Sequence, residues 1–253
     1  MENAYRKPNF LNSIPPVTRN ILIINAIVWL ACITFYRLNI DLAGILGLHY
    51  FGSANFHLYQ LVTYMFTHVS FSHIFFNMFA VYMFGIVLEH TWGPKRYLLY
   101  YLITGIGAGL IQILVCHLRI YSLLRDLPPD VITAVQNQDF NSLGYLSQGS
   151  VETVRNLFAL YNSTTIGASG AVFGILLAFG MLYPNTPLFI IFIPIPIKAK
   201  YFVIGYGLIE LYLGFANRAG DNVAHFAHLG GMLFGIFLIL YWKRKSKNGG
   251  FSY

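Results

Sequence analysis

Long uncharged runs rich in Leu, Ile, Val, Phe and Tyr, interrupted by short polar breaks, set the pattern of this chain. Six runs reach or approach the ~20 residues that a helix needs to cross about 30 Å of hydrocarbon. They predict helices over about 20–38, 71–90, 97–117, 168–183, 200–216 and 223–242. The fold class that follows is an all-α membrane protein, a six-transmembrane-helix bundle. No polar stretch of domain size separates the runs. They therefore form one membrane domain over 20–242, between an N-terminal segment at 1–19 and a basic tail at 243–253.

Two connections are long. Residues 39–70 are apolar and aromatic but broken by Gly44, Gly47, Gly52 and Asn55. The run 42–48 within them is too short to span and reads as an interfacial segment. Residues 118–165 carry Pro128, Pro129 and several acids. That composition predicts a loop in water, with a short amphipathic helix over 151–161.

Charge sharpens the topology. Only 10% of residues are charged, against roughly 25% in soluble domains, and the mean hydropathy is +0.60. The net charge of +7 does not point to nucleic acid, because the basic residues gather at the ends of apolar runs. They are Arg6, Lys7 and Arg19, then Lys95 and Arg96, Lys198 and Lys200, and the cluster from Lys243 to Lys247. An excess of Lys and Arg marks the cytoplasmic side of a membrane protein. Six spans place both termini on that side, and leave Asp41, Asp126, Asp130, Asp139, Glu152 and Asp221 outside. The expected location is a bacterial inner (plasma) membrane. Cys32 and Cys116 lie in apolar runs and read as small core residues rather than a disulfide.

The candidate chemistry begins where Gly167-Ala168-Ser169-Gly170 opens the fourth run. Ser169 to Tyr183 makes about 21 Å of helix, roughly 9 Å short of the bilayer core. With Tyr183 at the inner surface, Ser169 starts its helix below the outer one. Such a start leaves backbone N–H groups without partners inside the membrane, so it must face protein or a water-filled cavity. It also offers donors and a positive dipole end to an oxyanion. The flanking glycines expose the hydroxyl and allow close backbone approach. Taken alone, a serine in a membrane helix is more often a packing residue.

The sixth run carries His225 and His228 at its start, followed by Gly231 and Gly235. Those glycines form a Gly-x-x-x-Gly face, and Gly170 with Gly174 forms a matching one. Pressed together, the two faces bring an imidazole to Ser169. In the second run His73 and Asn77 are spaced i, i+4 and share one helix face, shortly after His68. Two donors on one face can hold the negative charge of a tetrahedral intermediate. The histidines His68, His73, His225 and His228 also raise the question of zinc. There is no His-Glu-x-x-His pair and no acid close by in sequence, so no metal and no cofactor is expected. The spans hold no pair of aspartates for an aspartyl mechanism, and no internal repeat of the kind transporters show.

Jointly, His73-x-x-x-Asn77, Glu89 with Gly93, Gly167-Ala168-Ser169-Gly170 and His228-Leu229-Gly230-Gly231-x-x-x-Gly235 resemble the rhomboid family of intramembrane serine proteases. The resemblance covers about 20–242 and implies a rhomboid-like six-helix fold with its site open to the outer side. It implies Ser169 as nucleophile and His228 as general base, because the family's base stands three residues before a glycine of its helix-contact face, here Gly231. His73, Asn77 and the Ser169 backbone N–H would form the oxyanion hole. Phe173 matches an aromatic that stacks on the base, and Gly167, Gly231 and Gly235 support the geometry. The implied centre is a Ser-His dyad with no third acid, its imidazole oriented by packing. One departure is Tyr59-Gln60, where many members carry Trp-Arg in the first outer loop. That puts loop anchoring in question rather than the chemistry.

The expected function is a serine endopeptidase, a hydrolase that cleaves transmembrane segments of other membrane proteins near their outer ends. Its partners are the lipid bilayer and membrane-protein substrates with a helix-destabilised segment, and no nucleic acid. The rival expectation is a non-catalytic rhomboid-like protein that binds membrane helices.

Overall fold

The computed structural model describes residues 13–125, 127–136, 148–190, 193–216 and 223–247. Arg6, Lys7, Asp126, Asp139 and Asp221, on which some of the topology expectation rests, lie outside the described residues, as does the end of the tail after residue 247.

The first long helix, α1 (Pro16–Tyr36), begins with a proline at its first turn, where a missing N–H costs nothing. Its remaining N-terminal donors are met from elsewhere in the chain. The Glu89 carboxylate accepts from Val17 N at 2.9 Å, from Thr18 N at 2.7 Å and from the Thr18 hydroxyl at 2.8 Å. A buried carboxylate is thus stabilised by three donors and by the positive helix end. A short helix α2 (Leu42–Leu46), a strand β1 (Leu48–His49) and a further turn α3 (Gln60–Thr63) follow.

The next long helix, α4 (Phe71–Trp92), is capped by the Ser70 hydroxyl, which accepts from His73 N. It contains a π-helical segment at Val81–Gly85 and stops at Gly93, whose φ of 78° suits glycine. Pro94 then opens α5 (Pro94–Leu124), a 31-residue helix. At ~1.5 Å per residue it is about 46 Å long, well beyond the hydrocarbon thickness. The expected end near residue 117 is therefore too early, and 118–165 is not simply a loop. The overrunning turns of α5 pack with α6 (Pro129–Gln136) and α7 (Gln148–Tyr161). Cys116, Ile120, Val131, Val135, Val154 and Leu157 form this satellite core. The amphipathic helix expected over 151–161 is present as α7.

Strand β2 (Thr164–Thr165) pairs antiparallel with β1, setting Leu48 opposite Thr165 and His49 opposite Thr164. It leads through a short turn into the 14-residue α8 (Ser169–Leu182), which is buried without a break from Gly170 to Gly180. A hairpin of β3 (Pro187–Ile190) and β4 (Ile193–Lys198) then reaches α9 (Ala199–Ala216) and α10 (His225–Lys247).

Helix α8 packs against α5, α9 and α10. A side chain at Gly231 would strike the Gly170 carbonyl, and one at Gly170 would strike Ala108 of α5. The two glycine faces meet at Gly231 and Gly170 as expected. They diverge in the following turn: Gly174 leaves room for Thr104, and Gly235 for the Tyr100 ring. The Tyr100 hydroxyl uses that room to donate to the Gly174 carbonyl at 2.8 Å.

Among the described residues, four helices are long and apolar enough to cross a membrane: α1, α4, α5 and α10. The 14-residue α8 and the 18-residue α9 complete the bundle. Large apolar side chains such as Ile27, Leu30, Phe75, Leu114, Leu208 and Phe237 stay exposed on the outside of these helices. An apolar belt of that extent suits lipid rather than water.

Candidate active site

Ser169 is the first residue of α8, so its backbone N–H has no acceptor within the helix. The turn before it is held tightly. Gly167 has φ 117° and donates its N–H to the Tyr64 carbonyl at 2.9 Å. A Cβ there would lie 2.6 Å from the His73 ring, so the imidazole rests directly on the glycine backbone. Only glycine satisfies both the dihedral and the contact.

From α10, His228 Nε2 lies 2.8 Å from the Ser169 hydroxyl oxygen. The two residues are distant in sequence and come from different helices, joined by the glycine contact between α8 and α10. The His228 ring stacks on Phe173, one turn after Ser169, with centroids 4.2 Å apart and planes 6° apart. Phe173 in turn stacks on Tyr206 of α9 at 4.9 Å. The expected Phe173 contact is thus present, and Tyr206 backs it.

The other nitrogen of His228 has an acid beside it, a contact not expected from the sequence. Nδ1 lies 2.9 Å from Glu210 Oε2, and the same oxygen lies 2.6 Å from His225 Nδ1. All three side chains are buried. Glu210 comes from α9, where it interrupts the apolar run Leu208-Ile209-Glu210-Leu211. A lone carboxylate inside a membrane helix is the signal that would have found it. Attention to acids near the histidines in sequence misses it, because the contact is made between helices.

His73 and Asn77 lie on α4, facing the Gly167 turn. Asn77 is buried and donates from Nδ2 to His68 Nε2 at 3.0 Å. The Ala168 N–H also donates to His68 Nε2, at 3.4 Å. The rings of His68 and His73 meet edge to face at 4.7 Å. Burial, reinforced by the neighbouring His73, pushes the His68 imidazole down to about 3. His68 is therefore neutral and acts as an acceptor, a positioning role where the sequence alone raised only the question of zinc. The four histidines do not gather at one point: His68 and His73 pair with each other, while His225 and His228 share Glu210. Among the described residues, Glu210, His225 and His228 are the set whose ligand atoms lie within 4.8 Å of one another.

Tyr59 and Gln60 answer the question of loop anchoring. The buried Gln60 donates to the Ile45 and Asn55 carbonyls and accepts from His57 N and His49 N. The Tyr59 hydroxyl also donates to the Ile45 carbonyl. The loop is fastened through this pair without the usual residues.

A cleft opens over the half-buried Ser169 and runs between α4 and α9. Phe76 and Met83 line it on one side and Phe202 and Tyr206 on the other, with His73, Asn77 and His228 at its polar end. A hydroxyl facing an imidazole nitrogen, with amide and imidazole donors alongside, can carry out nucleophilic attack on a carbonyl.

The family model for the Rhomboid domain matches residues 55–122 and 139–245, and the chain belongs to the rhomboid family. It is 29% identical over 178 residues to RHOMBOID-like protein 12, mitochondrial, of Arabidopsis thaliana, covering 69% of this chain and 43% of that one. It is 28% identical over 218 residues to a mitochondrial rhomboid protein of Schizosaccharomyces pombe, covering 76% and 54%. Rhomboid-like protein 16, chloroplastic, of Arabidopsis thaliana is 28% identical over 200 residues, covering 78% and 51%. The chain spans about half the length of these relatives. All three carry the names of eukaryotic organelles, which does not fit the expected bacterial inner membrane. What stands is an integral membrane protein.

Proposed function

We propose that this protein is an intramembrane serine endopeptidase. The observation that carries the reading is the 2.8 Å contact between Ser169 and His228 inside a cleft walled by apolar helices. His228 Nε2 takes the hydroxyl proton as Ser169 Oγ attacks the scissile carbonyl. The developing oxyanion is met by His73, Asn77 and the Ser169 backbone N–H, aided by the N-terminal end of α8. The imidazolium then protonates the leaving amine, and an acyl-enzyme remains on Ser169. Water, activated by the same imidazole, hydrolyses it.

The substrate class follows from the walls of the cleft. A transmembrane segment of another protein can lie against the apolar faces of α4 and α9 with its end unwound at Ser169. The site then acts near the ends of substrate helices on the side of the membrane opposite both termini of this chain.

The test compares wild type, Ser169→Ala and His228→Ala on a membrane-spanning reporter substrate in liposomes, with labelling by a serine-reactive fluorophosphonate. Cleavage and labelling are expected in wild type and lost in both variants. A folded wild type that neither cleaves nor labels, yet binds the reporter helix, is instead the non-catalytic binder.

A further inference from the structure

Resting on that reading, we propose that Glu210 is a positioning residue for the reaction, the third member of a serine-histidine-glutamate triad assembled from three membrane helices. The geometry is direct. Glu210 Oε2 of α9 lies 2.9 Å from His228 Nδ1 of α10, and His228 Nε2 lies 2.8 Å from the Ser169 hydroxyl of α8. An ionised carboxylate is acceptor-only, so the imidazole nitrogen facing it carries the proton. With Nδ1 protonated, Nε2 of the neutral ring bears its lone pair, and that lone pair faces the Ser169 O–H. The opposite tautomer points an N–H at the serine and cannot take its proton.

The carboxylate acts a second time when the proton moves. Attack by Ser169 Oγ on the carbonyl carbon transfers the hydroxyl proton to Nε2 and turns His228 into an imidazolium. Glu210 keeps its negative charge and lies against that cation, where little water competes with the interaction.

A lone carboxylate is costly inside a membrane protein, and this one is stabilised by a second donor. His225 Nδ1 lies 2.6 Å from the same Oε2. The groups around the His228 ring include Ser169 and Phe173 of α8, Glu210 of α9 with His225 beyond the carboxylate, and His73 of α4 across the cleft. His225 and His228 are three apart on α10, one turn, so both rings reach a single oxygen across the gap to α9. Packing by Phe173 fixes the plane of the His228 ring; the carboxylate fixes which nitrogen carries hydrogen.

The experiment is steady-state cleavage of the membrane-spanning reporter by the full chain in liposomes, with Glu210→Gln beside wild type and Ser169→Ala. The expected result is a fall in kcat of about 10²-fold or more for Glu210→Gln, with KM within about threefold of wild type. A purely structural role would instead lower the folded fraction and leave kcat per folded molecule unchanged. A second measurement needs no variant to fold: nitrogen-15 NMR of histidine-labelled wild type should find the neutral His228 protonated on Nδ1. Glu210→Gln with kcat within threefold of wild type, or a His228 protonated on Nε2, overturns the assignment. If Ser169→Ala still cleaves, the protease reading itself fails, an outcome separate from a failure at Glu210 alone.

Discussion

His68 accepts from two donors, Asn77 Nδ2 and the Ala168 N–H, on a single ring nitrogen. Protonating that nitrogen would set a third donor against the other two, and burial already pushes the imidazole down to about 3. An unfolded chain binds this proton near pH 6.5. The folded state binds fewer protons across the interval, so the stability from His68 is complete above about pH 6.5 and is lost as pH falls toward 3. Melting in detergent should therefore lose more between pH 7 and pH 4 in wild type than in His68→Gln; equal losses would contradict it. At this scale the sequence was readable where residues recur in a family pattern. Ser169, His228, His73, Asn77 and Phe173, named by the motifs, all line one cleft. Glu210 and the role of His68 were not readable, because each acts through a partner that only helix packing supplies.

Between elements, α10 meets α8 tightly at Gly231, where a side chain would strike the Gly170 carbonyl. The obstructing atom is backbone and cannot rotate away. Gly231→Ala should push α10 off α8, destabilise the fold by about 1–3 kcal/mol, and separate the His228 ring from Ser169. Melting and fluorophosphonate labelling in detergent read both effects; a variant that labels at the wild-type rate would show that the gap between the helices can widen without harm. The Gly-x-x-x-Gly spacing made this contact legible in advance. The length of α5 was not. Residues 118–124 are amphipathic rather than uniformly apolar, so a reading by membrane thickness stops before them. The helix continues because α6 and α7 cover the face that includes Cys116 and Ile120.

For the molecule as a whole, the decisive feature is a polar site at one end of an apolar cleft between α4 and α9. On the proposed function, a helical substrate hides its peptide bonds in its own hydrogen-bond ladder and must unwind to reach Ser169. Gly or Pro placed near the cut in the reporter should raise its cleavage rate above that of a Leu or Ala counterpart. Equal rates for the two reporters would mean that local unwinding does not limit access. The apolar helices and their order were legible from hydropathy, since lipid imposes a length and a composition that few other settings share; among the described residues four of them, and not α8 or α9, are long and apolar enough to cross a membrane.

The nearly continuous burial of α8 bears on how the protein is made. A segment of 14 residues that shows lipid almost no face of its own is poorly suited to stable residence in a bilayer as an isolated helix. Its insertion during synthesis must be coupled to docking: α5, already emerged, supplies one wall, and the segment stays provisional until α10 arrives to close the other. Completion of the surroundings of Ser169 therefore waits for α10, and on the proposed function a chain cut short before it holds an inert serine.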